Sequence, residues 1–169
     1  MKEKEKMPRL HSTKNDLSEK ARTEMIGLLN AHLADGTDLA LQAKQAHWNV
    51  KGPRFFPLHE LFDKLYAEAT EWNDLVAERA AQLGGVAEGT LQAAIENTRL
   101  SPYGLEIVNG RDHLEALSDS LAAYGKSVRQ AIDTAAGAGD ADTADLFTEI
   151  SRDADKMLWF LEAHLQAEK

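Results

Sequence analysis

The chain has 169 residues and a formal net charge of −9, and 43% of its residues are hydrophobic. It has no cysteine, which excludes disulfides, thiolate metal sites and cysteine nucleophiles, and it has no apolar run long enough to cross a membrane. This composition predicts a soluble cytoplasmic protein of one domain, long enough to bury a core unaided.

The first 14 residues differ from the rest of the chain in charge. Residues 1–14 lack apolar periodicity and predict a flexible, mildly basic arm, in which five cations outnumber two glutamates for a net charge of +3. The candidate DNA contacts are these cations: Lys2, Lys4, Lys6, Arg9 and Lys14. The acidic remainder attracts cations and opposes nucleic acid, although solvated helix faces account for most of that charge.

Residues 15–169 predict an all-α domain of four long helices. The first helix begins after a group of candidate N-caps, and its apolar stripe continues to about His47. The N-cap candidates are Asn15, Asp16 and Ser18. The turn KGPRFFP then stops this helix, and the second helix runs from about Phe56 until Gly84 and Gly85 end it.

The second half of the chain predicts another pair of helices. A short helical candidate at residues 91–97 precedes a third helix, which ends near Gly137 and Gly139, and the fourth begins near Asp140. Two helix pairs with short turns, joined by one link of about 25 residues, predict a four-helix bundle whose long crossover carries a short helix. This crossover lets the second and third helices run parallel, which is the ferritin-like connection.

The second helix carries four potential metal ligands on the face away from its apolar seam. At about 100° per residue these side chains fall together on one side of the helix. They are His59, Asp63, Asp74 and Glu78. The residues between them on this face are mostly small, which indicates the close approach of another helix. These spacers are Ala67, Thr70, Ala77 and Ala81.

The two ligand pairs on this face are too far apart to share one ion within a chain. His59 and Asp63 are one turn apart, as are Asp74 and Glu78, but roughly 16 Å of helix separates the pairs. A second copy packed antiparallel across a two-fold axis would bring opposite pairs together twice. His47 can fold back beside His59, so the sequence predicts an intersubunit site of two imidazoles and three carboxylates.

The potential metal ligands of the second helix also have other interpretations. A His–Asp pair one turn apart is by itself more often a surface pair than a ligand set, but a second pair in phase with it favours a metal site. The run from His59 to Asp63 is one residue from the HExxH motif of zinc proteases, yet that motif needs a second histidine, a third ligand and a cleft. The Glu-x-x-His element of intrachain di-iron bundles is absent, which argues against a site inside the bundle.

Six segments spread along the chain carry a family resemblance. They are KQAHWNVKG, LHELFD, AERAAQLGG, RDHLEAL, DTAD and SRDADKMLWFLE. Together they resemble the Dps family, the small ferritin-like DNA-protection proteins named for starved cells. The resemblance covers about residues 15–165, and the spacing of the five potential ligands matches the ferroxidase pattern of the family at every position.

The resemblance implies a hollow dodecamer that acts as a ferroxidase, oxidises Fe(II) preferentially with hydrogen peroxide, stores Fe(III) and protects DNA. Its iron ligands and catalytic residues would be His47, His59 and Asp63 of one chain, with Asp74 and Glu78 of a two-fold-related copy. No organic cofactor and no membrane partner are implied, and the protein would be cytoplasmic and able to associate with the nucleoid. Imidazole and carboxylate ligands suit Fe(II), and their protonation weakens binding at acid pH.

Other polar and aromatic residues receive weaker assignments. Trp48 is expected to pack over the site, with electron donation as the alternative, whereas Trp72 and Trp159 are predicted to be core. Four acidic residues of the fourth helix could form a stripe, which the resemblance implies helps to line ion-entry pores, with solvated helix surface as the alternative: Asp142, Asp145, Glu149 and Asp153. The remaining histidines have no spaced partners and are predicted to carry no chemistry: His11, His32, His113 and His164.

DNA binding is expected to be weak. The arm lysines alternate with glutamates, so each arm offers few net phosphate contacts, although many copies on one cage add avidity. Without an aromatic platform or recognition helix, binding would be nonspecific and lost at moderate salt. The alternative function is compaction of the nucleoid by a protein whose metal site is vestigial. A third possibility is a purely structural helical bundle.

Overall fold

The computed structural model describes residues 10–167 and shows helices joined by turns. The helices are α1 (Glu19–Asn49), α2 (Phe55–Gln82), α3 (Leu91–Asn97), α4 (Gly110–Gly137) and α5 (Ala141–Ala163). Within the described residues no strand forms, and an isolated bridge pairs Lys51 with Asn109. None of these helices is apolar enough over a sufficient length to span a membrane. The all-α prediction is confirmed.

Side-chain caps fix where most of the helices begin. In four of them a side-chain oxygen accepts a backbone N–H of the first turn, which satisfies a donor that the helix itself leaves unpaired. The capping residues are Ser18, Thr90, Asn109 and Asp140. Gly52 after α1 and Gly84 after α2 have φ of 117° and 86°, which glycine adopts without a steric cost. The predicted helix boundaries therefore agree with the structure.

The hydrophobic core lies between two helix hairpins, α1–α2 and α4–α5. The seam of α2 is buried, and it packs with the apolar stripes of the other three long helices in one cluster. Trp72 is 1% exposed and its ring stacks on Tyr124, with ring centroids 5.8 Å apart. The prediction that Trp72 is a core residue is confirmed.

The crossover of residues 83–109 is tied to the side of α1. The Arg99 guanidinium donates to the buried Asp35 carboxylate at 2.6 Å and 2.9 Å, and the Arg99 backbone N–H donates to it as well. Thr98 Oγ1 donates to Asp38 at 2.8 Å. These bonds hold α3 against α1, so the predicted ferritin-like bundle with a short helix in its crossover is confirmed.

A buried ion pair joins the end of α2 to the start of α5. Arg79 donates from Nη2 to Asp140 at 2.7 Å and from Nε to Thr143 at 3.0 Å, and both members of the ion pair are under 10% exposed. Burial alone would raise the pKa of Asp140, but the Thr143 hydrogen bonds and the Arg79 charge outweigh it and lower that pKa. The pair therefore fixes the α4–α5 turn against the first hairpin.

The structure does not confirm two of the expectations. Trp159 is 60% exposed, so its prediction as a core residue is wrong, because it lies about 200° around α5 from the buried Met157. The arm at residues 1–14 stays a prediction, since residues 1–9 lie outside the described residues. Within its described part, Leu10 packs against the core and the His11 N–H donates to the Gly84 carbonyl at 2.7 Å.

Candidate metal centre

His47 and His59 come together where α1 ends and α2 begins. Their rings are stacked with centroids 3.6 Å apart, as the sequence predicts. His47 Nδ1 lies 2.7 Å from the His59 carbonyl oxygen, and His59 Nδ1 lies 2.8 Å from the His47 carbonyl oxygen. The tight turn around Gly52 makes this reciprocal arrangement possible by reversing the chain between the two helices.

The two reciprocal hydrogen bonds determine which nitrogens can bind a metal. A carbonyl oxygen only accepts hydrogen bonds, so each Nδ1 must carry a proton. The neutral rings then present Nε2 as the nitrogen with a free lone pair, which is the arrangement found in metal-binding histidines held by a carbonyl. Both side chains are half-buried, so they are held in place while remaining accessible.

Asp63 follows His59 by one turn of α2 but is engaged by a cation. Lys44 Nζ donates to its carboxylate and also lies over the Tyr66 ring, 4.7 Å from the centroid. The Lys44 hydrogen bond lowers the pKa of Asp63, with smaller contributions in the same direction from His47 and His59. Asp63 is therefore an anion at neutral pH, and a metal ion would compete with Lys44 for it.

Asp74 and Glu78 lie one turn apart near the other end of α2, and both are exposed. The described residues of one protomer contain no group of three or more His, Asp and Glu side chains placed to hold a metal ion. One chain therefore brings together the two imidazoles, with Asp63 beside Lys44, and leaves Asp74 and Glu78 apart from them. The predicted five-ligand site would therefore need groups from a second copy.

The outward face of α2 around the two ligand pairs carries four small side chains. Ala67, Thr70 and Ala81 are exposed, and Ala77 is half-buried. Thr70 Oγ1 donates to the Tyr66 carbonyl at 2.8 Å, so its hydroxyl is already satisfied within the helix. Such a face allows the backbone of a second helix to approach closely.

The other predicted site residues are distributed over the surface. Trp48 is 65% exposed beside His47. On α5, Asp142, Asp145 and Glu149 are exposed, and Asp142 lies 3.9 Å from the Arg79 guanidinium. Asp153 is half-buried on the same helix. Among the candidate DNA contacts Lys14 is exposed, whereas Lys2, Lys4, Lys6 and Arg9 lie outside the described residues.

Comparison with known proteins decides the family. Residues 26–169 match the family described as a ferritin-like domain. The chain is 50% identical to the DNA protection during starvation protein of Agrobacterium fabrum, over 92% of this chain and 96% of that protein. This chain belongs to the Dps family. Solved Dps structures share its fold. The Dps structure of Mycobacterium smegmatis in a tetragonal form has a TM-score of 0.89 and 31% identity to this chain. The alignment covers 95% of this chain and 96% of that one.

A second Dps structure connects the family with iron. The protein of Microbacterium arborescens, solved in its high iron form, has a TM-score of 0.80 and 31% identity to this chain. The alignment covers 88% of this chain and 96% of that one. Membership of the Dps family supports iron storage and DNA protection as the general function of this chain.

Sequence reasoning misses Lys44 as part of the site. Lys44 precedes His47 by three residues on α1, so helical spacing places both on one face. A cation in that position, followed by a turn that reverses the chain, would have indicated a partner for an acidic residue early in α2. The signal was present, but only the fold shows that the partner is Asp63.

Proposed function

We propose that this chain is a ferroxidase that oxidises Fe(II), preferably with hydrogen peroxide, at sites shared by two copies, and stores Fe(III) in a hollow cage. The observation that carries this proposal is the reciprocal pairing of His47 and His59. Two histidines that each donate Nδ1–H to the carbonyl of the other keep both Nε2 atoms available for one metal-binding region.

The full ligand set requires an antiparallel pairing of two α2 helices. His47, His59 and Asp63 of one copy would face Asp74 and Glu78 of the second, and the two-fold symmetry would produce two such sites. The small spacers on the outward face of α2 support this contact, and so does the exposure of Asp74 and Glu78 in a single protomer. The contact and the sites would therefore form together.

The donor set suits iron as a substrate. Imidazole nitrogens and carboxylate oxygens bind Fe(II), and the absence of cysteine leaves no thiolate to select a softer metal. Three carboxylates with two neutral imidazoles would carry a charge of −3. That charge stabilises Fe(III) more than Fe(II), because the electrostatic attraction grows with the charge of the ion. Oxidation is therefore favoured at this site.

Hydrogen peroxide is the proposed oxidant because it accepts two electrons, which two Fe(II) ions supply together. Consuming iron and peroxide in this ratio removes both reactants of hydroxyl-radical formation, and this protects DNA without a contact to it. The proposed assembly is a dodecamer. In it, Asp142, Asp145, Glu149 and Asp153 would line pores that draw Fe(II) inward by their negative charge.

Nonspecific binding and compaction of DNA, with a weak or vestigial metal site, is the second candidate function, and the cationic residues of the arm favour it. Lys2, Lys4, Lys6, Arg9 and Lys14 are the proposed contacts. Their net charge per arm is small, so we expect binding that needs many arms at once and disappears at moderate salt. A mobility-shift assay across a salt series, on the full chain and on a chain lacking the cationic arm, measures this contribution.

The primary experiment compares iron oxidation in the unchanged protein and in the Asp74→Ala, Glu78→Ala variant. Fe(II) and then hydrogen peroxide are added to metal-free protein, while ferric absorbance and assembly size are followed. We expect rapid oxidation to a soluble, protein-bound product, and a loss of that rate in the variant. Oxidation no faster than in buffer would refute the ferroxidase proposal and leave DNA compaction as the better candidate.

A matched control separates the loss of ligands from the loss of negative charge. Glu115 and Asp119 are also exposed and one turn apart, but they lie on α4. The Glu115→Ala, Asp119→Ala variant has the same change in net charge, and we expect it to retain the oxidation rate. Equal losses in both double variants would assign the effect to overall charge and contradict the proposed ligands.

A further inference from the structure

Tyr103 and His113 form a hydrogen-bonded pair outside the proposed ligand set. Tyr103 lies in the crossover, and His113 lies in the first turns of α4. Tyr103 Oη is 2.7 Å from His113 Nδ1, and the two rings are almost parallel at 12°. His113 is 1% exposed and Tyr103 is half-buried. The hydrogen bond is therefore largely shielded from bulk water.

The direction of this hydrogen bond follows from counting partners. His113 Nε2 is buried and has no partner among the described residues. If the Tyr103 hydroxyl donates to His113 Nδ1, only the N–H at His113 Nε2 stays unpaired. If the Nδ1–H of His113 donates to Tyr103 instead, both the phenol hydrogen and the lone pair of Nε2 lack a protein partner. The proton therefore belongs to Tyr103. Burial raises the pKa of Tyr103 and lowers the pKa of His113, so both groups are neutral at neutral pH.

The pair lies behind the helix that carries the proposed iron ligands. The His113 ring centroid is 6.1 Å from that of Phe62. Phe62 follows His59 by three residues on α2 and directly precedes Asp63, but its side chain is buried on the core side. A continuous series of packed rings thus leads from the ligand-bearing turn of α2 to Tyr103.

The chain has three tyrosines, and the other two are in less suitable surroundings for losing an electron. The Tyr124 hydroxyl is buried and has no hydrogen-bond partner within residues 10–167, so no group there is placed to receive its proton. Tyr66 lies under the Lys44 ammonium, and that positive charge opposes the removal of an electron from the ring. Of the three tyrosines, only Tyr103 has both a hydrogen bond to a buried base, His113, and a position next to the ligand-bearing helix.

We infer that Tyr103 is a redox-active residue that supplies one electron to the iron site, with His113 Nδ1 accepting its proton. This inference rests on the proposed ferroxidase function and deepens it. It assigns a use to His113, for which the sequence predicts no chemistry. Tyr103 would supply this electron when a site holds only one Fe(II), because hydrogen peroxide needs a second electron to be fully reduced.

The step balances in atoms and electrons. One Fe(II) and Tyr103 each give one electron to hydrogen peroxide, its O–O bond breaks, and two hydroxide ions form. The products are Fe(III), a neutral tyrosyl radical and a protonated His113. A later Fe(II) returns an electron to the tyrosyl oxygen as the proton moves back from His113, and a second Fe(III) results. Two Fe(II) are thus consumed per peroxide, without release of a hydroxyl radical.

The test uses freeze-quenched electron paramagnetic resonance on the metal-free, fully assembled protein. Fe(II) is added below the number of sites, followed by excess hydrogen peroxide, and ferric absorbance is recorded on the same samples. We expect a tyrosyl signal in the unchanged protein that is lost in Tyr103→Phe, while iron oxidation continues. Spin trapping should then detect severalfold more hydroxyl radical from Tyr103→Phe than from the unchanged protein.

Two kinds of control complete the test. Tyr66→Phe and Tyr124→Phe are expected to keep the signal, and His113→Gln, which retains an acceptor but not a base, is expected to lose most of it. A merely structural pair would change thermal stability and leave the radical signal alone. A signal that persists in Tyr103→Phe, or that has the hyperfine pattern of tryptophan from Trp48, overturns the inference. Absence of iron oxidation in the unchanged protein overturns the ferroxidase proposal itself.

Discussion

In the proposed site, Lys44 and a metal ion would compete for the same carboxylate. The Lys44 ammonium is hydrogen-bonded to Asp63 and lies over the Tyr66 ring, so it balances the charge of the site while no metal is bound. Binding of a dication at Asp63 has to displace this ammonium or share the carboxylate with it. We therefore expect Lys44 to weaken the binding of a substrate ion at Asp63 without being a ligand itself.

Substitution of Lys44 tests that competition. We expect Lys44→Gln to bind Co(II), a redox-inert substitute for Fe(II), severalfold more tightly by anaerobic calorimetry, because the ammonium no longer occupies Asp63. The pKa of Asp63 should rise towards its ordinary value, so the gain should shrink below about pH 4 as this carboxylate protonates. Lys64→Gln, which removes a cation paired with Glu68 on α2, is the control. Equal affinities in all three proteins would contradict the competition.

Close contact between α1 and α2 positions the two site-bearing helices. A β-carbon at Gly36 would overlap Asn73 Oδ1, so the Asn73 side chain on α2 would have to move. No atom of the described part of the chain lies within 4 Å of the corresponding point at Gly27, on the same helix. A side chain at Gly36 would therefore disturb the α1–α2 contact, whereas one at Gly27 would not.

Alanine substitutions of these glycines should have opposite effects on stability. We expect Gly36→Ala to destabilise the protein by about 1–3 kcal/mol, because Asn73 must move. Gly27→Ala should be neutral or stabilise by up to about 1 kcal/mol, because alanine favours the helix. Denaturant unfolding, analysed at one protein concentration, measures both. Destabilisation of equal size in the two variants would show that the contact with Asn73 is not the cause.

The Arg79–Asp140 pair links α2 to α5 in a pH-dependent way. Because the folded pKa of Asp140 is lowered, its charged form stabilises the fold above the ordinary aspartate pKa of about 4, and this stability is lost as pH falls through the folded pKa. Asp140→Asn keeps a capping side chain but removes the charge. We expect this variant to be less stable than the unchanged protein at pH 7, with the difference vanishing in acid. A difference that is independent of pH in thermal melts would rule out the charge as its origin.

At the scale of the whole molecule, one protomer leaves large apolar side chains uncovered. Those that are at least 60% exposed are Trp48, Phe56, Ile95, Leu105 and Trp159. Single apolar side chains are normal on the surface of a monomeric protein, whereas continuous apolar patches mark contacts with other subunits. In the proposed cage, contacts between subunits would cover part of this apolar surface.

A substitution on the spacer face of α2 tests whether assembly creates the site. Ala77→Arg places a long cation where we propose that a second α2 approaches, and we expect it to dissociate the two-fold contact and abolish rapid iron oxidation together. Ala122→Arg, at an exposed position of α4, should change neither. Sedimentation and ferric absorbance follow the two properties. Rapid oxidation by a dissociated Ala77→Arg protein would show that one chain suffices.

Most of the fold could be predicted because its signals are local. Ser18 and Asp140 cap helices as their residue types suggest, Gly84 ends α2 with a positive φ, and residues 91–97 form the short crossover helix. The apolar seam of α2 and the opposite position of the ligand face follow from helical periodicity. The turn predicted between α1 and α2 was enough to predict that His47 lies beside His59.

The sequence by itself determined the helices and their buried seams, because each depends on neighbours within a few residues along the chain, and it supplied the residues that we propose as iron ligands. Only the tertiary structure decided that Lys44 engages Asp63, that Tyr103 donates to His113, and that Trp159 lies on the surface. These facts depend on how turns and crossovers orient elements relative to one another. Periodicity gives the side of a helix on which a residue lies, but only packing determines what that side meets.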